Sequence, residues 1–361
     1  MCYHKALAKR EQELAQHYGA SFEHVRAELK LIESRFEVLL QKDEKLDALK
    51  ALKEKSYNGI HEVLTQYSQK GGLPEHLTKQ ELSELKWCLK VMAGNSNDGV
   101  SMYHENGFDY LPTPIITAGD PDHFKLFNWG LVPFYISDRD KAMALRAQTL
   151  NCISEEMSEK PSFRDAVKNG QRCLIPVTGF FEWRWLDEKG TVKIPYYVTF
   201  RDQKVRSMAG LYSRWRDKET DTYYYSYTVL TTQANSILEY VHNHKKRMPV
   251  IIAKEDEKAW LNRDLKQKDV DELCRPSNDS SMRAYTISKL LTTKNTITNV
   301  PEVLLPMNYQ EAIKTASHFL ETGDKKRALE SFKEIVSGEK ISVEDLSHAI
   351  NQNILPELSL T

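Results

Sequence analysis

The sequence predicts an α+β fold with a mostly antiparallel β core, surrounding helices, a helical insertion and a C-terminal pair of helices. Three observations support this prediction. Short aromatic and β-branched runs bounded by turn residues dominate residues 100–305, whereas Glu, Lys, Leu and Ala dominate residues 22–98. Apolar residues recur at helical spacing on both sides of Gly323. Strands and helices do not alternate as they do in a parallel βαβ sheet.

Length and composition indicate a globular protein with a large core. The chain has 361 residues, of which 40% are hydrophobic and 28% charged. The formal net charge of −1 excludes a uniformly basic nucleic-acid-coating protein but allows a local basic groove. Five scattered cysteines without a CxxC pair indicate neither a disulfide framework nor a zinc site. We therefore expect a cytoplasmic protein with no membrane segment, no metal and no other cofactor.

Residues 22–98 have the pattern of two packed helices. Apolar residues recur at spacings of three and four from Phe22 to Leu39, which predicts an amphipathic helix packed on a partner helix. A Gly-Gly-Leu-Pro turn precedes a second helix, and Thr78 with Glu81 has the pattern of a capping box at its start. Two interpretations are open: a helical hairpin or insertion that packs on its own chain, or a coiled coil that forms a dimer or binds a partner protein.

Residues 100–305 are predicted to form short strands interrupted by helices. An Asp-Glu-Lys-Gly sequence at 187–190 predicts a hairpin turn between two strands. No GxGxxG or P-loop motif occurs, so the sequence does not favour a nucleotide cofactor. The strands are predicted at 114–117, 124–131, 172–177, 195–200, 208–212 and 223–232, and the helices at about 162–169, 233–241 and 254–262.

The C-terminal segment 309–361 has two short apolar faces separated by Gly323. A single helical pair cannot bury its own apolar face. We therefore expect the pair to dock on the body of the protein, with a separate interaction module as the alternative. The apolar residues are Ile313, Ala316, Phe319 and Leu320 before the glycine, and Ala328, Leu329, Phe332 and Ile335 after it.

Cys2 offers chemistry that no other position in a chain provides. Removal of Met1, which is normal when the second residue is small, leaves an amine and a thiol on one residue. These groups titrate at about 8 and about 8.5 in short peptides, so both are usable nucleophiles near neutral pH. A 1,2-aminothiol condenses with an aldehyde through an imine and closes to a thiazolidine ring. A cysteine at position 2 is weak evidence by itself, because many proteins carry one by chance.

Four downstream blocks bring aromatic, amide, carboxylate and imidazole groups into the same region of sequence. The blocks are Trp-Gly-Leu-Val-Pro at 129–133, Asn-Cys-Ile-Ser-Glu at 151–155 with Pro-Ser-Phe-Arg at 161–164, Gly-Phe-Phe-Glu-Trp at 179–183, and His-Asn-His-Lys-Lys-Arg-Met-Pro at 242–249. With the N-terminal Met-Cys, and in this order, they resemble the SRAP (SOS-response-associated peptidase) family of abasic-site processing and cross-linking proteins. The resemblance covers residues 1–19 and 103–307. It implies an SRAP-like catalytic domain at 1–21 and 99–308, a helical insertion at 22–98 and a helical appendage at 309–361.

The resemblance implies a sensor of abasic sites in single-stranded DNA that acts in the DNA damage response. In such proteins the mature N-terminal cysteine captures the ring-opened sugar aldehyde as a thiazolidine. The resulting DNA–protein cross-link shields the lesion from strand cleavage. The implied enzyme activity is this cross-linking, lyase-like reaction. The peptidase activity in the family name is interpreted as autoproteolytic removal of Met1.

The resemblance also implies roles for four residues. Cys2 is the nucleophile, and Asn151 holds the terminal amine or the sugar oxygen. Glu182 protonates and opens the deoxyribose ring, and His242 stabilises the open-chain sugar or relays protons. Because aromatic residues flank Glu182, we expect it to be partly desolvated with a raised pKa. Two alternatives are open: His244 as the active imidazole in place of His242, and an ion pair of Glu182 with a nearby arginine such as Arg184.

The expected DNA contacts are aromatic and basic. Aromatic rings stack on bases and cations bind phosphates. Two positions depart from the family pattern, because Ile153 and His4 stand where arginines are expected to hold phosphate. This departure predicts weaker binding to ordinary single-stranded DNA, because each lost phosphate contact lowers the electrostatic affinity. The candidate DNA-binding residues are Trp129, Phe134, Tyr135, Arg146, Lys245, Lys246 and Arg247, with a core position as the alternative for Trp129.

Two other functions are kept as alternatives. The first is a thiol peptidase in which a histidine activates Cys2. The second is a non-catalytic protein that recruits a repair partner through residues 22–98 and the C-terminal pair. The leading hypothesis is the abasic-site sensor that reacts through Cys2, for which the expected substrate is single-stranded DNA with an abasic site.

Overall fold

The structure of the chain is a computed structural model. It describes residues 2–42, 77–96, 99–186, 188–190, 193–292, 297–307, 309, 318–319, 321–324 and 326–327. The turn predicted at 71–74 lies outside the described residues, and so does nearly all of the helix pair predicted in 309–361.

The described residues form an α+β fold, as the sequence predicts. Each of the six predicted strands coincides with or overlaps a strand of the structure, and each of the three predicted helices does the same with a helix. The strands are β1 (His4–Arg10), β2 (Asn95–Ser96), β3 (Gly99–Asn106), β4 (Pro112–Thr117), β5 (Asp120–Trp129), β6 (Asn151–Ile153), β7 (Arg172–Val177), β8 (Gly179–Trp185), β9 (Lys193–Phe200), β10 (Arg206–Asp217), β11 (Thr222–Gln233), β12 (Arg247–Pro249), β13 (Ile251–Ile252) and β14 (Met282–Thr286). The helices are α1 (Glu11–Tyr18), α2 (Glu23–Leu40), α3 (Lys79–Gly94), α4 (Arg139–Leu145), α5 (Pro161–Lys168), α6 (Ser236–Val241), α7 (Glu257–Trp260) and α8 (Gln267–Leu273).

One sheet closes into a barrel. Its strands follow the order β12-β11-β5-β4-β7-β10-β13, and β10 also pairs with β11, so the path returns on itself. Most neighbouring strands are antiparallel, whereas β5 and β6 pair with β11 in parallel. Closure pairs both edges of the five barrel strands and leaves a continuous apolar interior.

The second sheet is built around the N-terminal strand. Its order is β14-β9-β8-β1-β3-β2, and all of its pairings are antiparallel. β1 therefore lies in the interior of the sheet, with β8 on one side and β3 on the other. Lys5, Ala6 and Leu7 are fully buried in it. A central strand that starts at His4 fixes the position of the residues just before it.

A buried ion pair joins this sheet to the barrel. The Lys5 ammonium pairs with the Glu105 carboxylate, and both side chains are almost inaccessible to solvent. The Thr113 hydroxyl donates to Glu105 Oε1 at 2.7 Å, and the Tyr227 hydroxyl donates to Thr113 Oγ1 at 3.3 Å. A buried charge needs such a partner and its hydrogen bonds to offset the loss of hydration. The network holds β1 and β3 against β4 and β11.

The helices flanking residues 43–76 pack on their own chain. The apolar face of α2 contacts the apolar face of α3. Arg35 forms an ion pair with Glu84 across the two helices. Thr78 and Glu81 form the predicted capping box at the start of α3. The described part of this region therefore follows the first of the two interpretations, and a partner protein stays a prediction.

The start of the C-terminal segment also packs against the body. Tyr309 is fully buried in the core cluster that lines the barrel, and its hydroxyl donates to the backbone carbonyl of Ile287. Of the helices in the described ranges, none combines the length and the apolar character that a membrane crossing needs.

The Lys5–Glu105 pair yields a stability prediction. Glu105→Ala leaves a buried ammonium without its partner, and we expect it to lower the free energy of unfolding by about 3–5 kcal/mol. The double variant Lys5→Met with Glu105→Leu removes both charges and keeps the volume, so we expect it to recover most of that loss. Urea unfolding followed by circular dichroism measures both. A double variant as unstable as Glu105→Ala contradicts this interpretation.

Candidate active site

Cys2 lies immediately before β1 and is buried. Its side chain is 1% exposed and belongs to the core cluster that contains Phe180 and Tyr196. The Sγ–H points to the His4 carbonyl at 3.5 Å. Burial raises the pKa of the Cys2 thiol well above its ordinary value, and the negative charge of Glu182 adds to this effect. The thiol is therefore neutral near pH 7. Because a charge on Glu182 would raise the pKa of this thiol further, the two groups titrate interdependently.

Glu182 lies in the middle of β8, beside β1 and opposite Tyr196 of β9. The strand starts at Gly179, where a Cβ would lie 2.5 Å from the ring of Tyr197, so the close approach of β9 requires glycine. Glu182 is 4% exposed. Burial raises its pKa to about 8, and the charge of the amino terminus opposes this shift. The carboxyl group is therefore largely protonated at neutral pH, in agreement with the expectation from its aromatic neighbours.

The alternative ion pair of Glu182 with Arg184 is not formed. Arg184 donates to the Tyr240 carbonyl, and its guanidinium lies 3.8 Å from the centre of the Tyr240 ring. Glu182 Oε1 has no hydrogen-bond partner among the described residues. A buried carboxyl oxygen in this condition has capacity left for a ligand.

His242 follows α6 and faces Glu182. Its Nε2 lies 3.7 Å from Glu182 Oε2, and its Nδ1–H donates to the Arg247 carbonyl at 2.9 Å. Because a carbonyl can only accept, the neutral ring carries its proton on Nδ1 and turns an unprotonated Nε2 toward Glu182. Burial lowers the pKa of His242 to about 4. A protonated carboxyl and a neutral imidazole thus face each other.

The second imidazole of this loop has a different position. His244 is exposed and stacks on the indole of Trp185 with ring centres 3.7 Å apart. The Asn243 side chain accepts from the Trp185 amide and donates to the Trp185 carbonyl. These contacts dock the loop on the end of β8. Of the two candidate histidines, His242 is the one beside Glu182.

Asn151 is the first residue of β6, which pairs with β11. It is 8% exposed, and neither polar atom of its side chain has a hydrogen-bond partner in the described part of the chain. Leaving a buried amide unsatisfied costs about 1–3 kcal/mol per group, so both polar atoms of Asn151 keep the capacity to bind a ligand.

Trp129 corrects one prediction. Its indole is fully buried, stacks on Tyr227, and donates from Nε1 to the Leu150 carbonyl at 2.7 Å. A side chain without solvent access cannot stack on DNA, so the predicted DNA contact is wrong and the alternative core position is right. Phe134 and Tyr135, just after the following turn, are 58% and 45% exposed and contact each other edge to face. They remain candidates for stacking on bases.

The four basic residues predicted to bind phosphate differ in how available their positive charge is to a ligand. Lys245 and Lys246 are exposed on the loop after α6. Arg247 makes a two-point ion pair with Glu155 at 2.8 and 2.7 Å, so its charge is largely compensated within the fold. Arg146 lies 4.0 Å from the centre of the Tyr110 ring and is held there by the protein.

His4 does not replace the charge of the arginine expected at its position. Burial lowers its pKa to about 4. Its ring stacks on His104, with Nδ1 2.8 Å from Nε2 of that residue, and contacts the edge of Trp183. No local sequence pattern indicates His104, because the two histidines are 100 residues apart in the chain. A neutral histidine pair stands here at physiological pH.

One group in the described ranges has the composition of a metal site. His24, Asp120 and His123 lie together where α2 meets the start of β5. Asp120 is already engaged, because it accepts from His123 Nδ1 at 2.8 Å and pairs with Lys125 at 2.6 Å. None of these residues belongs to the cluster around Cys2.

The raised pKa of Glu182 predicts a pH-dependent stability. The folded state binds this proton more tightly than the unfolded chain, in which the pKa is about 4.5. The contribution to stability is therefore complete below pH 4.5 and is lost as the pH rises through about 8. Glu182→Gln does not titrate, so we expect its melting temperature relative to wild type to increase between about pH 5 and about pH 9. A constant difference across this range contradicts the assignment.

Comparisons with known proteins agree with the sequence motifs. The family model described as SOS response associated peptidase (SRAP) matches residues 1–294. Abasic site processing protein YoqW of Bacillus subtilis is 34% identical over 191 residues, which are 53% of this chain and 80% of that protein. Abasic site processing protein HMCES of Xenopus tropicalis is 27% identical over 49% of this chain and 55% of its own length. A crystal structure of a Bacteroides thetaiotaomicron protein superposes with a TM-score of 0.61 and 28% identity over 85% of this chain and all of that one. The chain belongs to the SRAP family.

Proposed function

We propose that this protein processes abasic sites in single-stranded DNA by binding their aldehyde covalently through Cys2. The proposal is carried by one observation: the buried Cys2 thiol lies close enough to Glu182 for that carboxyl group to shift its pKa, and the pKa of Glu182 is itself raised to about 8. The names of the relatives support abasic sites as the target, and the 1,2-aminothiol supports an aldehyde as the reacting group. The reaction requires that Met1 be removed, because only then is the Cys2 nitrogen an amine.

The first step joins the amine to the sugar. The Cys2 nitrogen attacks the aldehyde carbon of the ring-opened deoxyribose and forms a C–N bond, which gives a carbinolamine. The carbinolamine hydroxyl leaves as water when Glu182 donates its proton to that oxygen. A protonated imine, or iminium, remains. A general acid in this position needs a pKa near the working pH, and burial supplies it.

The second step closes the ring. The Cys2 sulfur attacks the iminium carbon, a C–S bond forms, and the electron pair of the C=N bond moves to the nitrogen. The thiol proton passes to the Glu182 carboxylate, and the ring nitrogen keeps its own proton. Aldehyde and aminothiol thus become thiazolidine and one water, with Glu182 as the proton carrier in both steps. His242, with its Nε2 3.7 Å from Glu182 Oε2, relays protons with this carboxyl group or stabilises the open-chain sugar.

The remaining groups position the DNA. The Asn151 amide is suited to bind the sugar oxygen, because both of its polar atoms lack a partner in the described structure. Phe134 and Tyr135 stack on bases next to the lesion. Lys245 and Lys246 bind phosphates. With His4 neutral and Ile153 uncharged, we infer that these two positions add nothing to the dependence of DNA affinity on salt.

A thiol peptidase is a weaker interpretation of the same residues. Peptide cleavage needs a thiolate, usually formed by an adjacent imidazolium. Here burial and Glu182 raise the pKa of the Cys2 thiol. The site therefore favours a reaction that begins at the amine.

Substitutions of Cys2 separate the two steps. We expect Cys2→Ala to form no heat-stable adduct with single-stranded abasic DNA. Cys2→Ser keeps the amine but forms a much less stable ring, so we expect an adduct only after borohydride reduces the imine. Cys274→Ala, which changes another buried free cysteine, is the control and should react like wild type. Denaturing gels measure the adduct. Equal heat-stable adduct from wild type and Cys2→Ala would falsify the role of the thiol.

Glu182→Gln tests the proton carrier. The amide cannot donate or accept the proton that the two steps transfer, and we expect adduct formation to slow by about 10²–10⁴-fold. The wild-type rate should pass through a maximum near pH 8 and decline above it, because the amine must lose its proton to attack and the carboxyl group must keep its proton to donate it. Single-turnover kinetics between about pH 6 and about pH 9 measure both effects. A variant that keeps the wild-type decline above pH 8 shows that another group controls it.

A further inference from the structure

A groove separate from Cys2 opens at one end of the barrel. It has a volume of about 990 Å³ and runs between α2, the β4–β5 turn and the β10–β11 hairpin. We call it the mouth groove and define it by Lys125, Phe134, Arg214, Tyr223, Tyr225 and Arg263. Cys2, Glu182, Asn151 and His242 do not line it.

The mouth groove carries an excess of positive charge. Among the described residues, four permanent cations line it, whereas Glu28 is the one acidic lining residue. Lys125 pairs with Asp120, and Arg216 pairs with Asp221. The cations are Lys125, Arg214, Arg216 and Arg263.

Two of these cations have no carboxylate partner among the described residues. The Arg214 guanidinium lies 4.5 Å from the centre of the Tyr223 ring. Arg263 makes only a long hydrogen bond, 3.4 Å, to the Asn169 carbonyl. Burial raises the pKa of Glu28 to about 7, which reduces its opposing charge at neutral pH. An uncompensated basic groove favours an anionic ligand.

Exposed aromatic rings stand among these cations. Tyr223 and Tyr225 are two residues apart on β11, so their side chains emerge on the same face of the strand. They are 48% and 38% exposed, and their ring centres are 6.5 Å apart. Across the hairpin, Arg214 is opposite Tyr225 and Arg216 is opposite Tyr223. Two guanidinium groups on β10 therefore face two aromatic rings on β11.

This arrangement matches the chemistry of a single strand of nucleic acid. Such surfaces combine cations that follow the phosphates with rings on which successive bases stack. An acidic peptide would use the cations but would have no use for two exposed rings. Phe134, the exposed ring after the Trp-Gly turn, also lines the groove. The groove is therefore continuous with a residue proposed to contact the lesion-bearing strand.

We propose that the mouth groove binds a single-stranded stretch of nucleic acid, with bases on Tyr223 and Tyr225 and phosphates at Arg214 and Arg263. The choice of DNA as the strand rests on the proposed function, whereas binding itself needs no reaction at Cys2. The groove holds undamaged nucleotides that flank the reacting site.

The test uses the full chain with Cys2→Ala, which removes covalent capture, and labelled oligothymidine without a lesion. Fluorescence anisotropy measures the affinity. We expect Tyr223→Ala to weaken binding about tenfold, because one stacking platform is lost. Tyr223→Phe keeps the ring and should bind as tightly as the parent. Arg214→Ala should lower the salt slope by about 0.7. Arg275→Ala removes an arginine that is 72% exposed and does not line the groove, so it should change nothing.

Three results overturn the proposal. The first is an affinity of Tyr223→Ala for oligothymidine equal to that of the Cys2→Ala parent. The second is an equal loss of this affinity in Tyr223→Phe and Tyr223→Ala. The third is a polyglutamate peptide that binds as tightly as oligothymidine and depends on Arg214 but not on Tyr223, because that ligand would be an acidic peptide. Failure of wild type to cross-link abasic DNA, with groove binding intact, would count against the proposed function alone.

Discussion

The pairing of β1 between β3 and β8 is the constraint on which the site depends. An amino terminus is ordinarily one of the most mobile parts of a chain. Here the strand begins at His4, and the buried Lys5–Glu105 pair ties it to the barrel. Cys2 is consequently held in the core beside Glu182. A central strand thus fixes the position of Cys2, as a reacting residue requires.

Burial then sets the protonation state of the site. It raises the pKa values of the Cys2 thiol and the Glu182 carboxyl and lowers that of His242. All three shifts have the same physical cause, because a low-dielectric environment disfavours whichever form is charged. At neutral pH the three side chains are therefore mainly uncharged. A reaction that loses water from a carbinolamine needs a proton donor, and the neutral carboxyl is one.

The sequence predicted the α+β class, the six main barrel and sheet strands and the capping box, because these depend on local patterns. It did not predict β1 as a strand, because the buried Lys5 breaks the apolar alternation and its partner Glu105 is 100 residues away. Whether Trp129 is exposed or buried could not be predicted, because a Trp-Gly sequence does not determine which face of a strand meets solvent. The ion pair of Arg247 with Glu155 could not be predicted either, because the two residues are distant in the chain and meet only in the fold.

The most direct measurement is intact-mass and peptide-mass spectrometry of the protein after incubation with an abasic oligonucleotide. The account predicts a chain without Met1 whose mass increases by the oligonucleotide minus one water, with the added mass on the peptide that begins at Cys2. An adduct on a chain that retains Met1, or on a lysine elsewhere, would contradict the claim that the freed aminothiol beside Glu182 is the reacting group.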